Sequence, residues 1–364
     1  MPRMFDILKG KKGDDDPGGG DGKHKAKKAA PEKKHPLSFP KGILKTLSPR
    51  EVEKEDQSLV SKKLIFAVKQ HGVDNQERAD EIYENAVKTI KGLLAEIRGG
   101  EGPGQARMEK LYELLDTVFN QLVMGDSILF NLCEKNNGEA TLPYHIVNVL
   151  ILSSFIGLNM GFNKSRLSHL GLASIFYDIG MDSFSELAGS PRLFTASERE
   201  KVKGHIGKSL EVVGKIGSVN DVVIETISMH HERMNGSGYP AGIRGDEINP
   251  YAKILGLVDT YEAITHTRPH REGMNTHKAV RLLIGPMKGD FDSDVMKIFI
   301  NKMSVYPIGS IVTLDTGEVA RVISVEPGSP LRPVIMILRD ANGVNVREKI
   351  VIDLSKQDFP AIKD

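Results

Sequence analysis

The segment of residues 230–271 constrains the fold of this chain more than any other stretch. It places two adjacent histidines, His230 and His231, before a glycine-rich turn, and about a helix's length later it carries Asp259 in an apolar helical pattern. Neighbouring imidazoles with a remote carboxylate suit a polynuclear site for transition metals such as iron, manganese, zinc or nickel. The sequence therefore predicts a metal site assembled from residues that are far apart along the chain.

The composition indicates a globular, cytoplasmic chain without an integral membrane segment. At 364 residues, with 40% hydrophobic and 27% charged residues, the chain has room for two or three domains. Its single cysteine, Cys133, excludes an internal disulfide and fits a reducing compartment. Residues 146–162 carry no formal charge, but the stretch is slightly short for a membrane span and contains two asparagines, which favours a buried core helix.

Charge is distributed unevenly along the chain. Residues 1–50 hold 13 lysines and arginines against 6 acidic residues, which leaves 36 against 42 for the remainder. A lysine-rich leader could contact an anionic partner. The favoured interpretation is a solvated, disordered leader over residues 1–40, without nucleic-acid binding.

Residues 41–135 are predicted to form an N-terminal helical region. Residues 39–49 read as a short amphipathic segment, and apolar residues then recur at helical spacing from about residue 75 to Gly99 and Gly100. A second helix is predicted from about Met108 to Cys133. Two such helices make a hairpin that suits a regulatory or dimerisation unit, so a homodimer and protein partners both stay open.

The remainder of the chain is predicted to be a helical domain followed by a β-rich extension, so that the fold class is mainly α. Over residues 136–305 we expect the helix of His145, a helix ending near Asp178, and helices over residues 198–213, 220–231 and 254–265. Over residues 306–364, runs rich in valine and isoleucine are broken by Asp-Thr-Gly and Asp-Ala-Asn-Gly turns, which is typical of hairpins.

These motifs resemble the HD-GYP family of metal-dependent cyclic-di-GMP phosphodiesterases, a branch of the HD superfamily. The triplet Gly238-Tyr239-Pro240 reproduces the family's signature, and His145 and His205 match its separate histidines. Where the family has His-Asp-Ile-Gly-Lys, this chain has Tyr177-Asp178-Ile179-Gly180-Met181. The resemblance covers roughly residues 120–354 and implies the HD-superfamily helical bundle.

The resemblance also implies a ligand set for two metals. The first would be held by His145, Asp259 and the dyad histidine, which is replaced here by Tyr177. The second would be held by His205, His230 and His231, with Asp178 bridging the metals as the catalytic residue. The glutamate that holds a third metal in some members is replaced by Thr141, so a trinuclear site is not expected.

The tyrosine weakens the first metal position. A phenol loses its proton near pH 10 and is a poor ligand at neutral pH. We therefore expect one firmly held divalent transition metal, iron or manganese, at the second position, and a weak or empty first position. Tyr177 is interpreted as filling the volume of the missing histidine rather than as a ligand.

The resemblance implies cyclic-di-GMP as the ligand. Met181 carries no positive charge where the family has a lysine, so phosphate contacts would come from arginines and a lysine close to the signature. The candidate substrate-binding residues are Asn235, Gly236, Gly238, Tyr239, Pro240, Arg244, Lys253, Arg268 and Arg271. Of these, the glycines would shape a loop close to the ligand, and Tyr239 could stack on a guanine.

Three functions are compatible with this pattern. A protein that has lost its dyad histidine could be a receptor or scaffold of the cyclic-di-GMP system with weak or no phosphodiesterase activity, which is the interpretation we favour. The alternative is an active phosphodiesterase that hydrolyses the cyclic dinucleotide to linear pGpG or GMP. A third function, less favoured, is hydrolysis of another phosphorylated substrate.

Overall fold

Helices make up most of the structure up to residue 302, and strands follow. In this computed structural model the described residues are 74–100, 102–124, 129, 133, 141–217, 219–302, 306, 309–326, 329–346, 348–356 and 359–363. The predicted leader over residues 1–40 and the amphipathic segment over residues 39–49 lie outside the described residues. The described part is mainly α with a small antiparallel sheet, as the sequence predicts.

The helices are numbered here in chain order. They are α1 (Asp74–Arg98), α2 (Gln105–Val123), α3 (Leu142–Asn159), α4 (Lys164–Phe176), α5 (Ser185–Ala188), α6 (Ala196–Val202), α7 (His205–Val213), α8 (Asp221–Met229), α9 (Pro250–Thr265), α10 (Thr276–Ile284) and α11 (Ser293–Lys302). Short 3-10 turns occupy Ile179–Phe184, Gly245–Glu247 and Leu354–Lys356.

The N-terminal hairpin, α1 with α2, buries its apolar stripes against the rest of the bundle. In α1 the buried positions recur at helical spacing, as at Tyr83, Ile90 and Leu94. The prediction for α1 is confirmed, and its end coincides with the glycine pair. The second helix was predicted to continue to Cys133, which is wrong, because α2 ends at Val123 and the main-chain N–H of Met124 closes its last turn.

Helix α3 lies in the core of the bundle and packs against α1, α4 and α9. By length and composition it is apolar enough to cross a membrane, and 72% of that apolar window is buried inside the fold. Core helices of globular proteins share both properties, so this is weak support for a membrane span. Its burial all round explains why α3 is hydrophobic on every face, as predicted for a core helix.

A helix break falls just before His205, where the sequence was interpreted as one continuous helix over residues 198–213. The structure has two helices, α6 and α7, separated by Lys203 and Gly204. Helix α6 begins with a capping box in which Thr195 and Glu198 satisfy each other's main-chain N–H groups. The break places His205 on the first turn of α7 instead of mid-helix.

The C-terminal sheet has the strand order β1-β2-β3-β4 and is antiparallel throughout. The strands are β1 (Ile311–Thr313), β2 (Val319–Ser324), β3 (Val334–Arg339) and β4 (Val351–Asp353). An isolated β-bridge joins Ile362 to Leu314, the residue that follows β1. The predicted hairpin of β1 with β2 is confirmed. Strand β3 pairs with β2 on one side and with β4 on the other, and the second predicted turn brings Asn345 opposite Arg339 in an isolated bridge.

The crossing of α8 and α9 generates a stability prediction. A Cβ at Gly256 in α9 would lie 2.5 Å from the main-chain oxygen of His230, which follows α8. Because main chain cannot move aside as a side chain can, Gly256→Ala should lower the free energy of unfolding by about 1–3 kcal/mol. Urea unfolding followed by circular dichroism measures this.

Gly207 in α7 is the matched control, since a Cβ there would meet nothing within 4 Å. Gly207→Ala should be neutral or stabilising by about 0.5–1 kcal/mol, because alanine is the better helix former. Equal losses in the two variants would contradict the close packing of α8 on α9.

Candidate metal centre

Separate helices deliver the predicted ligands to one region in the interior of the bundle. His145 lies in α3, Asp178 follows α4, and Asp259 lies in α9. His205 begins α7, and the pair His230 and His231 follows α8. The histidines and Asp259 are buried, and the side chain of Asp178 is 14% exposed. The ligand set that the resemblance implies is thus brought together by the fold.

Three of these histidines form a compact group, the three-histidine half of the site. One ligand nitrogen from each of His205, His230 and His231 lies within 4.8 Å of the others. The Nδ1 atoms of His205 and His230 each lie 2.7 Å from a main-chain carbonyl oxygen, that of Val202 and that of Ile227 respectively. Since Nδ1–H donates to the carbonyl in each case, both Nε2 atoms are left with a free lone pair.

The donor atoms of this half fit a metal ion. The Nε2 atoms of His205 and His230 face each other at 3.4 Å. Burial, followed by the neighbouring His205, lowers the pKa of His230 to about 4, and burial with both other histidines lowers the pKa of His231 well below its usual value. Neutral imidazoles are the form that binds metals. The buried Nδ1 of His231 has no hydrogen-bond partner among the described residues, as expected for a site that takes a cation.

Asp178 lies between the two halves of the site. Its Oδ1 is 3.4 Å from Nε2 of His205, and its Oδ2 is 3.5 Å from Nε2 of His145. One carboxylate oxygen is therefore directed to each half, which is the geometry that a bridging ligand requires. Ser209 fixes this turn, because its hydroxyl donates to the carbonyl of Tyr177 at 2.9 Å and accepts from the N–H of Gly180 at 2.9 Å.

The other half, formed by His145, Tyr177 and Asp259, is filled by protein atoms. The Tyr177 hydroxyl lies 2.6 Å from Nε2 of His145 and donates to Oδ1 of Asp259 at 3.1 Å. Burial, followed by the charges of Asp259 and Asp178, raises the pKa of Tyr177 well above its usual value. The phenol stays protonated, so it occupies the space between the two ligands as a hydrogen-bonding group.

Glu262 completes this half and was missed by the sequence reasoning. Its Oε2 lies 2.5 Å from Nδ1 of His145. Burial opposes protonation of His145, but Glu262 together with the nearby aspartates raises the pKa of His145 well above its usual value. A signal was available, because Glu262 lies three residues after Asp259 on α9 and therefore on the same helix face.

The Gly-Tyr-Pro loop packs beside the three-histidine half. The ring of Tyr239 stacks on His231 with centroids 4.6 Å apart and planes 29° apart, so one face of this ring is already occupied. A Cβ at Gly238 would lie 2.5 Å from main-chain atoms of the paired-histidine turn, which explains the need for glycine.

The other predicted residues of this loop also have contacts. Asn235 donates to Asp290 at 2.7 Å, and Arg244 lies against Gly236. Pro240 follows a cis peptide bond.

The remaining predicted phosphate contacts are engaged elsewhere. Lys253 lies 3.3 Å from Asp292 and 3.4 Å from Asp246. The guanidinium of Arg271 donates to main-chain carbonyls at the end of α9. Arg268 donates to Glu262 at 3.0 Å, behind His145. Because these three side chains are partly buried and already hydrogen-bonded or ion-paired, the exposed Arg244 keeps the strongest case among the predicted cations, and the substrate contacts stay predictions.

Lys203, at the break between α6 and α7, is a further cation near the site besides Arg244. It was not among the residues predicted from the sequence. Its Nζ lies 5.2 Å from the centroid of the Tyr239 ring. The side chain is 31% exposed and pairs with the exposed Glu200 at 2.6 Å. A positive charge therefore stands at the rim of the three-histidine half, while Met181 beside Asp178 supplies none.

Comparison with known families agrees with this geometry. Residues 126–295 match the family model of the HD domain, and residues 311–364 match that of a KOW domain associated with the HD domain. The fold is similar to the solved structure of Bd1817, a HDG"Y"P protein from Bdellovibrio bacteriovorus, with a TM-score of 0.52 at 20% identity over 66% of this chain and 76% of that chain. The chain therefore carries an HD domain, followed by a KOW domain associated with it. Its Gly238-Tyr239-Pro240 triplet reproduces the signature of the HD-GYP group.

Curated relatives carry one type of activity in their names. A cyclic di-GMP phosphodiesterase of Pseudomonas aeruginosa is 25% identical over 67% of this chain and 59% of its own length. Cyclic di-GMP phosphodiesterase PdeB of Borreliella burgdorferi is 25% identical over 56% of this chain and 54% of its own. A 3'3'-cGAMP-specific phosphodiesterase of Vibrio cholerae is 27% identical over 44% of this chain and 38% of its own. The chain spans little more than half the length of the first two relatives.

The three-histidine half generates a prediction about metal content. Because the described contacts of His231 include no hydrogen bond at Nδ1, His231→Gln should remove a ligand with little other damage. Its metal content, measured by plasma mass spectrometry after loading with Mn(II) and gel filtration, should fall from about one ion per chain to a small fraction.

His169→Gln is the control, since His169 is partly exposed and packs near Tyr251 outside the cluster. It should keep the wild-type metal content. Unchanged metal content in His231→Gln would place the metal, if one binds, somewhere other than the three-histidine half.

Proposed function

We propose that this chain is a receptor or scaffold of the cyclic-di-GMP system that binds the dinucleotide and cleaves it weakly or not at all. It would hold one divalent metal, iron or manganese, through His205, His230, His231 and Asp178. The observation that carries the proposal is the Tyr177 hydroxyl, 2.6 Å from His145 and 3.1 Å from Asp259. A cytoplasmic location is part of the proposal and rests on the reducing compartment that the cysteine usage suggests.

The chemistry of phosphodiester hydrolysis explains the weight given to Tyr177. Two metals about 3.5–4 Å apart in such sites activate the attacking water and neutralise charge on the phosphate. Here His145 is engaged by Tyr177 on Nε2 and by Glu262 on Nδ1, which leaves it no lone pair for a metal. Asp259 already accepts a hydrogen bond from the phenol. Both properties support a single-metal site with low hydrolytic power.

Binding the dinucleotide requires fewer features of the site than hydrolysing it does. A bound metal in the three-histidine half would supply Lewis acidity toward a phosphate oxygen. The loop from Asn235 to Pro240 is held beside that half by the Tyr239–His231 stack and by Glu232, whose Oε1 accepts from the main-chain N–H groups of Ala241 and Gly242 at 2.7 and 3.1 Å. The rim cations Lys203 and Arg244 suit a dianionic cyclic dinucleotide.

The alternative is an active phosphodiesterase. The names of the relatives favour it, as does Asp178, which directs one oxygen to each half of the site. On this alternative the linear product would form slowly on a single metal, and the tyrosine would have to move or to take part in the reaction.

Single-turnover cleavage separates these functions. Protein loaded anaerobically with Fe(II) or Mn(II) is mixed with substoichiometric cyclic-di-GMP, and the linear product is followed by chromatography, with Asp178→Ala as the blank. We expect wild type near the blank. Tyr177→His should raise the rate by at least about a hundredfold, which is ~2.7 kcal/mol and within what a second metal supplies.

Wild-type product well above the blank would favour the phosphodiesterase. Retention of the uncleaved dinucleotide by the wild type, measured by equilibrium dialysis, supports the receptor. Failure to retain either cyclic-di-GMP or 3'3'-cGAMP would overturn the receptor proposal.

The rim cation Lys203 generates a binding prediction. Lys203→Gln should weaken cyclic-di-GMP binding about tenfold, because a charge-assisted hydrogen bond to phosphate contributes about 1.5–3 kcal/mol. Isothermal titration calorimetry at fixed salt measures the dissociation constant. Lys201→Gln is the matched control, an exposed lysine on α6 with the same change of charge. Equal effects of the two substitutions would mean a general charge effect instead of a contact.

A further inference from the structure

A buried hydrogen bond joins the N-terminal hairpin to the core helix that carries His145. The hydroxyl of Tyr83 in α1 donates to Oδ1 of Asn148 in α3 at 2.7 Å. Tyr83 is 1% exposed and Asn148 is 0% exposed, so water does not compete for this bond. Asn148 lies three residues after His145, on the same face of α3.

The other end of the Asn148 amide reaches the carboxylate that holds His145. Its Nδ2 donates to Oε1 of Glu262 at 3.2 Å, and Oε2 of Glu262 lies 2.5 Å from Nδ1 of His145. Because a carboxylate only accepts, Glu262 requires the amino end of the Asn148 amide, and the amide oxygen is then the end that accepts from Tyr83. With the amide reversed, its oxygen would face a carboxylate oxygen, and the Tyr83 hydroxyl would have to accept from the amide instead of donating to it.

We propose that Tyr83 is a positioning residue for the candidate metal centre, acting on His145 through Asn148 and Glu262. The hydroxyl holds the Asn148 amide in place through its oxygen, the amide donates to Glu262, and Glu262 holds the His145 ring with Nε2 toward Tyr177 and Asp259. The position of the N-terminal hairpin then affects the position of His145, so the hairpin and the site are coupled.

A second contact of α1 reaches the turn that follows Asp178. At the end of α1, Arg98 donates from Nε and Nη2 to the carboxylate of Asp182 at 2.8 and 2.5 Å. Asp182 lies in the 3-10 turn Ile179–Phe184, which directly follows Asp178. A shift of α1 would therefore affect His145 through the buried Tyr83 hydrogen bond, and Asp178 through the contact of Arg98 with Asp182. This is the arrangement that coupling between a distant element and a site requires.

The test reads the imidazole of His145 directly and so does not depend on whether the protein cleaves its ligand. The full-length chain is labelled with ¹⁵N-histidine, treated with EDTA, and its ring nitrogens are assigned with single His→Gln variants. In Tyr83→Phe we expect the Nδ1 resonance and the Nδ1–H proton of His145 to shift. Those of His205 and His230, which donate to main-chain carbonyls, should stay in place.

Tyr112→Phe is the matched control, since it removes a hydroxyl from the same hairpin at a residue that is 44% exposed. It should leave every histidine resonance unchanged. A Tyr83→Phe spectrum in which His145 does not move, or in which all the histidines move together, would overturn the positioning role.

Asn148→Ser covers the case in which Tyr83→Phe does not fold. It removes the amide while leaving Tyr83 and Glu262. A shift of His145 is again expected, accompanied here by one of His266, whose Nε2 lies 3.2 Å from the Asn148 amide nitrogen. Absence of the His145 shift in a folded Asn148→Ser protein equally overturns the proposal. The Arg98→Gln variant then separates the two contacts of α1, because the proposal expects it to leave the His145 resonances in place.

Discussion

The structure depends on how buried negative charge around His145 is compensated. Asp178, Asp259 and Glu262 bring carboxylate oxygens to within 3.5, 3.2 and 2.5 Å of this one imidazole. Buried carboxylates are stable when a cation or hydrogen-bond donors face them. Here the donors are His145, whose pKa is raised, and the Tyr177 phenol, while Arg268 adds a charge behind Glu262. Protein groups thus supply the compensation that a metal ion supplies in a two-metal site.

The two halves of the centre consequently differ in chemical character. The half with His145 is rich in carboxylates, and these already accept hydrogen bonds from protein donors. The three-histidine half consists of imidazoles whose pKa values are lowered at His230 and His231, and Nδ1 of His231 has no hydrogen-bond partner among the described residues. Asp178 contacts both halves, so a single residue connects a closed network with a site that is open to a cation. This asymmetry supports the proposed function, in which binding of the dinucleotide outweighs its hydrolysis.

Much of the fold and of the ligand set could be predicted from the sequence. Helical periodicity located α1 and the core helix α3, and the resemblance named the ligands that the structure brings together. The sequence over residues 198–213 has a continuous helical pattern, so the break before His205 could not be predicted from it. The capping of α6 by Thr195 and the packing of Gly204 are details that this pattern does not contain. The partners of Lys253 and Arg271 were equally inaccessible, since Asp292 and the carbonyls of α9 reach them only through tertiary packing. The role of Tyr83 depends on a contact between residues 65 positions apart.

Two of the ligand histidines also stabilise the ends of helices. His205 donates to a carbonyl in the last turn of α6, and His230 donates to a carbonyl in the last turn of α8. The last carbonyls of a helix otherwise lack a partner, so these imidazoles contribute to folding whether or not a metal is bound. A lineage that stopped using the metal would still lose stability on replacing either residue. Histidines at these two positions therefore serve folding whatever the site binds. Nδ1 of His231 has no partner among the described residues, so His231 is the member of the trio that can change at the least cost to stability.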